Sequence, residues 1–187
     1  MASRAEYGPG PASGVRVEKG GEKWTLILVR DLHHPPARVW EALTDPEHLR
    51  EWAPFDANGM LDTLGATVLL TWTGTGQTTE ATVARVEVPT LLEFGDLRWE
   101  LEPLSHGTRL TLWHNIDRRF IAWGAAGWHI CFDVLDRLLE GEPVGRIAGG
   151  DAMHFGWQRL VGEYAQQFGI AAQGGPSKAD ENRANRD

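Results

Sequence analysis

The feature that most constrains the fold is one long amphipathic segment, Ala125 to Gly141, which follows a stretch of β-type sequence. From just before this segment, apolar residues recur at the three- and four-residue spacing of one α-helical face. These positions are Ile121, Gly124 or Ala125, Trp128, Cys131 or Phe132, Leu135, and Leu138 or Leu139. Because such a face must be buried, the pattern predicts a sheet that packs against one long helix.

The preceding sequence predicts a strand, two short helices and a meander. The run 24–30 is rich in β-formers and ends before two prolines, the second of which suits the first turn of a helix through Leu43. A second short helix follows and ends near Trp52. Strand-like segments joined by turns then cover 66–73, 78–88, 91–94, 97–104 and 108–115. Turns this short exclude the crossovers of parallel strands, so the sheet is predicted to be antiparallel.

A chain of 187 residues fits one ordinary domain, and neither a repeat nor a shift in composition marks a second one. Residues 1–22 are rich in Gly, Pro, Ser and Ala, and residues 170–187 contain little to bury. Both ends are therefore predicted to be disordered tails. The domain is expected to span residues 23–169, with an extra amphipathic helix at its C-terminal end.

Charge and cysteine content argue against several classes of function. The net charge of -8 comes from scattered acidic residues, so neither nucleic acid nor a membrane is expected as a partner. Cys131 is the only cysteine, which leaves no intrachain disulfide. The sequence shows neither a signal peptide nor an apolar run of about 18 residues, so a cytoplasmic protein is expected.

Four separated segments resemble one known superfamily. The matching segments are residues 35–49 with Trp52, residues 86–92, residues 107–114, and residues 125–129 followed by 135–138. They resemble START-like or Bet v 1-like proteins, the SRPBCC superfamily, and within it the branch named after the activator of Hsp90 ATPase homologue 1. The resemblance implies an α+β helix-grip fold, in which a curved antiparallel sheet wraps around a long C-terminal helix. It also implies a cavity between sheet and helix for a small apolar or aromatic ligand.

The branch name implies activation of Hsp90, but this fold hosts many functions. In the eukaryotic co-chaperone, a separate N-terminal domain carries the stimulatory segment, and the residues before Trp24 are too few to form such a domain. An Hsp90-type chaperone is therefore not expected as a partner. The resemblance informs the fold, and the function has to be argued from the site.

The inward-facing residues of this arrangement are the candidates for a ligand site. Strand alternation places Trp99 and His114 on the face toward the long helix. The full set of candidate ligand-binding residues is Trp52, Phe55, Trp72, Trp99, Leu101, Leu112, His114, Gly124, Trp128 and Cys131. Tryptophan rings offer flat apolar walls for a ligand, although the same rings can simply fill a core. Gly124 and Gly127 lower helix propensity, which close approach of the sheet or room for a ligand would explain.

His114 is the candidate catalytic residue, because a histidine on an apolar inner face can transfer a proton near neutral pH. It can equally be a histidine that only satisfies hydrogen bonds at the edge of a cavity. Neither a metal nor a cofactor is expected, since the sequence has no HExxH, CxxC or comparable ligand spacing. Cys131 has no local motif that would activate its thiol.

Three functions remain open. The leading hypothesis is a protein with little or no catalytic activity that binds a small hydrophobic, aromatic or lipid-like ligand between sheet and helix. The second is an enzyme of the aromatase/cyclase type that acts on a polyketide-like substrate, with His114 as acid or base. The third is a co-chaperone or dimeric interaction module, for which a homodimer is possible. The leading hypothesis depends on whether the space between sheet and helix is open or filled.

Overall fold

Eight antiparallel strands form one curved sheet in the computed structural model, which describes residues 3–172. The strands are β1 Val15–Glu18, β2 Lys23–Leu32, β3 Phe55–Ala57, β4 Thr67–Trp72, β5 Thr78–Glu87, β6 Leu91–Phe94, β7 Leu97–Leu104 and β8 Gly107–Asp117. Their order across the sheet is β1-β2-β8-β7-β6-β5-β4-β3. Apart from β2 and β8, every neighbouring pair is consecutive in the chain, which confirms the predicted antiparallel meander.

Helices cover one face of this sheet. In the described residues they are α1 Pro36–Thr44, α2 Pro46–Trp52, α3 Ile121–Leu139 and α4 Trp157–Phe168. A proline occupies the first turn of both α1 and α2, where its missing N–H removes no helical hydrogen bond. Asp45 caps α2 by accepting a hydrogen bond from the Glu47 amide at 2.8 Å. The two short predicted helices, which follow β2, and the long helix near the C-terminus are therefore confirmed.

The strand register directs the apolar side chains toward α3. In the β7–β8 pair, Trp99 lies opposite Leu112 and Leu97 lies opposite His114. Leu112 is fully buried, whereas Arg109 on the other face of β8 is exposed. Because α3 packs on β2 and β8 as well as on α2, the sheet and the short helices surround it. The predicted α+β helix-grip fold is confirmed.

The prediction of a disordered N-terminal tail is wrong for residues 3–22. β1 pairs with β2, and Tyr7 and Val15 are buried. The Arg4 guanidinium donates hydrogen bonds to three backbone carbonyls of the segment that follows α3, those of Val144, Gly145 and Arg146. Composition alone missed this order, because a few widely spaced side chains attach the segment to distant parts of the chain.

Helix α4 extends the domain at the other end of the chain. Leu160, Tyr164 and Phe168 are buried, and Gly169 ends the helix in the left-handed conformation with a φ of 68°. Of the predicted C-terminal tail, residues 170–172 are described, and residues 173–187 lie outside the described part of the chain. Within residues 3–172, no helix is long and apolar enough to cross a membrane.

Candidate functional site

Aromatic side chains fill the middle of the space between α3 and the sheet. Trp99 of β7 packs edge-on against Trp52 of α2 and Trp128 of α3, with ring centroids 6.0 and 5.5 Å away. Phe132 lies 6.1 Å from Trp99. The Trp52 indole N–H donates to the Ala42 carbonyl at 2.9 Å. All four rings are at most 2% exposed, so this part of the space is packed core.

An open pocket begins where this aromatic cluster ends. Its volume is about 390 Å³, and it lies between the β4–β5 hairpin, the end of β8 and the first half of α3. The inner wall consists of Trp72, His114, Ile116, Gly124, Gly127 and Trp128. The rim consists of Pro54, Thr73, Gly74, Thr75, Gln77, Thr79 and Gly149. The volume is at the lower end of the range of about 300–1,000 Å³ that is usual for small-molecule sites.

Two glycines of α3 shape the inner wall in different ways. A Cβ at Gly124 would lie 2.9 Å from the Cδ1 atom of Ile116, so the missing side chain lets α3 approach β8 closely. A Cβ at Gly127 would come no nearer than 4.0 Å to its closest neighbour, the Nε1 atom of Trp157. Gly124 therefore permits close packing, whereas Gly127 leaves room in the pocket.

The hairpin tip closes one side of the pocket against the segment that leads to α4. Gly149 has a φ of 58°, and a Cβ there would lie 3.1 Å from the Cα of Gly74 and the carbonyl oxygen of Thr73. Both the backbone conformation and this close approach require glycine. The contact explains how a residue far along the chain comes to line a pocket built mainly by the β4–β5 hairpin, β8 and α3.

His114 lies in the inner wall with a defined proton position. The Trp128 Nε1–H donates to the Nδ1 atom of His114 over 3.0 Å. Because an indole N–H can only donate, Nδ1 must be unprotonated, and the neutral ring carries its proton on Nε2. Burial lowers the pKa of His114 to about 4, with smaller and mutually opposed effects from Asp96 and Lys23. The ring is therefore neutral near pH 7.

The Nε2–H of His114 is a donor open to the pocket. No residue in 3–172 accepts a hydrogen bond from it. It is also not sealed in the core, since the buried side-chain nitrogens without a described partner belong to His34, His48, Arg98 and Trp99. The His114 ring lies nearly parallel to that of Trp72, at 6°, with centroids 6.1 Å apart. The imidazole ring thus packs against two tryptophans, Trp72 and Trp128, at the pocket surface.

The other side-chain donors of the inner wall, and the Thr73 hydroxyl of the rim, are already paired within the protein. The Trp72 Nε1–H donates to the Thr79 hydroxyl at 3.3 Å. The Thr73 hydroxyl donates to the Pro54 carbonyl at 2.9 Å. Since the Trp128 N–H is bound to His114, the Nε2–H of His114 is the unpaired donor of the inner wall in the described chain.

Four of the ten candidate ligand-site residues line the pocket, namely Trp72, His114, Gly124 and Trp128. The other six are packed in the core at 2% exposure or less and do not line it: Trp52, Phe55, Trp99, Leu101, Leu112 and Cys131. Alternation and helical spacing indicate where a side chain points. Whether the space there is open depends on how the large rings pack together, which no periodic pattern shows.

Sequence reasoning missed the polar rim of the pocket. Thr73, Thr75 and Gln77 belong to the β4–β5 hairpin, whose glycines indicate only a turn. The run of hydroxyl side chains on both sides of that turn was the available signal. Gly149 could not be found in this way, because its place at the rim depends on a contact between distant segments.

A polar network lies on the opposite side of α3 from the pocket. Asp133 accepts hydrogen bonds from the Arg30 guanidinium at 2.8 Å and from the Tyr7 hydroxyl at 2.7 Å. One turn earlier, the Nδ1 atom of His129 is hydrogen-bonded to the Tyr164 hydroxyl at 2.6 Å. Burial lowers the pKa of His129, and the nearby carboxylate of Asp133 opposes this shift. The network attaches both the N-terminal segment and α4 to α3.

Away from the pocket, one group of side chains in residues 3–172 has the geometry to hold a metal ion. Ligand atoms of Glu41, Asp45 and His48, at the junction of α1 and α2, lie within 4.8 Å of one another. Asp45 already caps α2, and Glu41 is exposed. None of the three lines the aromatic pocket, so this group supplies no chemistry there.

A curved antiparallel sheet that surrounds a long helix, with a pocket between them, defines the helix-grip class of START-like proteins. The chain belongs to the activator of Hsp90 ATPase homolog 1-like protein family, which matches residues 33–140. The resemblance to that branch of the SRPBCC superfamily is therefore confirmed. The family match does not include β1, β2 or α4.

Solved structures with the same fold come from several sources. SSP2350 from Staphylococcus saprophyticus is 21% identical with a TM-score of 0.57, covering 66% of this chain and 98% of that chain. CalU16 from Micromonospora echinospora is 20% identical with a TM-score of 0.58, and the match covers 86% of this chain and 96% of CalU16. DynU16, a protein of the dynemicin biosynthetic locus, is 24% identical with a TM-score of 0.58, and the match covers 69% of this chain and 51% of DynU16. At these identities the likeness shows the fold alone. No curated protein matches the chain.

Proposed function

We propose that this protein binds a small hydrophobic or aromatic ligand in the pocket between the β4–β5 hairpin, β8 and α3. The observation that carries this proposal is an open space of about 390 Å³ walled by Trp72 and Trp128 beside a fully packed aromatic core. Each Å² of apolar ligand surface removed from water there contributes about 25 cal/mol. The similarity to DynU16, a protein of a biosynthetic locus, agrees with a role in handling a small molecule.

Binding is a better role for His114 than general-base catalysis. Its Nδ1 lone pair is occupied by the Trp128 N–H and its Nε2 carries the proton, so the ring offers no free lone pair to the pocket. Because burial lowers the pKa of His114 to about 4, the ring is also a weak base at neutral pH. A neutral histidine can still orient or polarise an acceptor group of a ligand.

The proposal is tested with N-phenyl-1-naphthylamine, an uncharged probe that fluoresces in apolar sites. The wild-type protein is expected to enhance its fluorescence in a saturable manner. Gly127→Leu places an apolar side chain in the pocket and is expected to weaken this binding by about tenfold or more. Leucine is also favourable in a helix, so the variant should fold.

Gly162→Leu is the matched control, because it makes the same substitution within α4, where a Cβ meets no atom within 4 Å. It should bind the probe like the wild type. Equal binding by the wild type and Gly127→Leu would place the probe elsewhere on the protein and contradict the proposed site. The absence of saturable binding to the wild type would contradict the proposed function itself.

A further inference from the structure

The pocket lacks any ionised side chain among the described residues that line it. A carboxylate or phosphate entering it would lose hydration without gaining a counter-charge, which is strongly unfavourable. Two charged side chains, those of Lys23 and Asp96, act on His114 from outside the pocket lining. They are exposed and form an ion pair with each other at 3.6 Å. The pocket therefore offers no counter-charge to an anionic ligand.

A cation is disfavoured for a different reason. The faces of Trp72 and Trp128 could in principle attract one. However, the His114 ring packs against both of these rings, and its Nε2–H presents the positive end of its dipole to the pocket. An uncharged ligand needs no counter-charge and is not repelled by this N–H group, so the pocket favours an uncharged ligand.

The same N–H sets a second requirement. A ligand that covers it without accepting a hydrogen bond would leave a buried donor unpaired, which is unfavourable. The donor cannot turn away, because the Trp128 N–H holds the other ring nitrogen at 3.0 Å and fixes the tautomer. Trp128 is thus a positioning residue for His114 as well as part of the wall.

We propose that the ligand is an uncharged aromatic compound with a carbonyl-type acceptor, and that the Nε2–H of His114 donates a hydrogen bond to this acceptor. The inference rests on the proposed function and specifies the chemical class of ligand for the same pocket. The aromatic part of the ligand packs between Trp72, Ile116 and the glycine surface of α3, and the acceptor lies at the imidazole edge.

Three probes with one ring system test the inference: 2-acetylnaphthalene, 2-ethylnaphthalene and 2-naphthoate. Their affinities are measured at pH 7 by displacement of N-phenyl-1-naphthylamine from the wild type and from His114→Leu. Because the ketone is better hydrated than the hydrocarbon, the change in their affinity ratio between the two proteins reports the hydrogen bond. This ratio is expected to shift by about 3- to 10-fold in favour of the hydrocarbon in His114→Leu. Naphthoate should bind the wild type at least about tenfold more weakly than the ketone.

A measurement on the wild type keeps the inference testable if His114→Leu does not fold. Long-range ¹H–¹⁵N spectra of the imidazole should show the Nε2-protonated tautomer at pH 7. The Nε2 resonance should move when the ketone binds and stay nearly constant when the hydrocarbon binds. An Nδ1-protonated tautomer would overturn the inference.

The outcomes separate the inference from the proposed function. If the hydrocarbon and the ketone bind the wild type but their affinity ratio is unchanged in His114→Leu, the pocket binds ligands and the inference is wrong. Naphthoate binding as tightly as the ketone would also overturn it. If none of the probes binds the wild type, the inference and the proposed function fail together.

Discussion

Helix α3 faces an open pocket on one side and a closed polar network on the other. On the pocket side, Gly127 leaves space, and His114 presents a donor that no described residue accepts. On the opposite side, Asp133 accepts hydrogen bonds from Arg30 at 2.8 Å and from Tyr7 at 2.7 Å. The same helix therefore has one side whose polar groups are paired within the protein and one side where a donor remains available.

This difference assigns separate roles to the two sides. Buried polar groups that satisfy one another attach segments together and contribute to stability. A donor that stays unpaired beside an apolar space is a group that a bound molecule can satisfy. Substitutions in the network should therefore change the free energy of unfolding, while substitutions in the pocket should mainly change ligand binding.

The largest effect is expected for Asp133→Ala, which should lower the free energy of unfolding by about 3 kcal/mol. The substitution leaves the Arg30 guanidinium, whose side chain is 25% exposed, without its carboxylate partner. It also leaves the Tyr7 hydroxyl without its acceptor. Urea unfolding followed by circular dichroism measures the change.

Glu140→Ala is the control on the same helix end, because Glu140 is exposed, and it should change stability by no more than about 0.5 kcal/mol. Folded Asp133→Ala should still bind N-phenyl-1-naphthylamine like the wild type. A loss of stability similar to that of Glu140→Ala would contradict the structural role of the network. A loss of probe binding would mean that the two sides of α3 are coupled.

The second prediction concerns the pH dependence of stability on the pocket side. Burial lowers the pKa of His114 from 6.5 in a model peptide to about 4 in the folded protein. As the pH falls below 6.5, the unfolded chain takes up this proton before the folded protein does, so folding becomes less favourable. The loss is nearly complete at pH 4, where about half of the folded protein is protonated, and it ends about one pH unit lower, where both states are protonated. Each pKa unit corresponds to about 1.4 kcal/mol, and partial exposure of the ring reduces the total to about 2 kcal/mol.

His114→Gln removes this titration and separates it from that of the carboxyl groups, which both proteins share. Urea unfolding of the two proteins at pH 7 and pH 4 gives the comparison. The wild type should lose about 2 kcal/mol more than the variant over this interval. Parallel stability curves for the two proteins would show that the His114 ring is not held neutral by burial.

Local patterns were sufficient for the parts of the fold that they determine. Pro36 marks the start of α1, and alternation along β8 places Leu112 and His114 toward α3, as the structure has them. The order of residues 3–22 could not be predicted, because its anchors act over long separations. The hydrogen bond between Tyr7 and Asp133 joins residues 126 positions apart. In a segment rich in Gly and Pro, one such contact is invisible to composition.

In the candidate site, the sequence predicted where side chains point but not whether the space there is open. Trp72, His114, Gly124 and Trp128 were found because strand alternation and helical spacing give the direction of a side chain. Trp99 also points inward, yet its ring packs against that of Trp128 with centroids 5.5 Å apart and leaves no opening. Whether a pocket stays open depends on how side chains pack in three dimensions, so only the structure could locate it.

Tyr7→Phe gives a smaller test of the network side. The substitution removes the hydroxyl that donates to Asp133 at 2.7 Å and keeps the buried ring. The free energy of unfolding should fall by about 1.5 kcal/mol, as expected for a hydrogen bond to a charged group. Amide hydrogen exchange in β1 should become faster, since Tyr7 helps to hold the N-terminal segment on α3. Unchanged exchange would show that the other contacts of this segment hold it by themselves.

The smallest effect separates the two glycines of the pocket wall. Gly127→Ala should stabilise the protein by up to about 1 kcal/mol, because alanine favours the helix and its Cβ meets no atom closer than 4.0 Å. Gly124→Ala should not, since its Cβ would lie 2.9 Å from the Cδ1 atom of Ile116. Ile116→Val removes that methyl group, so in its presence Gly124→Ala should recover a gain like that of Gly127→Ala. Thermal unfolding of the single and double variants measures this coupling, and additive effects would mean that Gly124 is not required for the approach of α3 to β8.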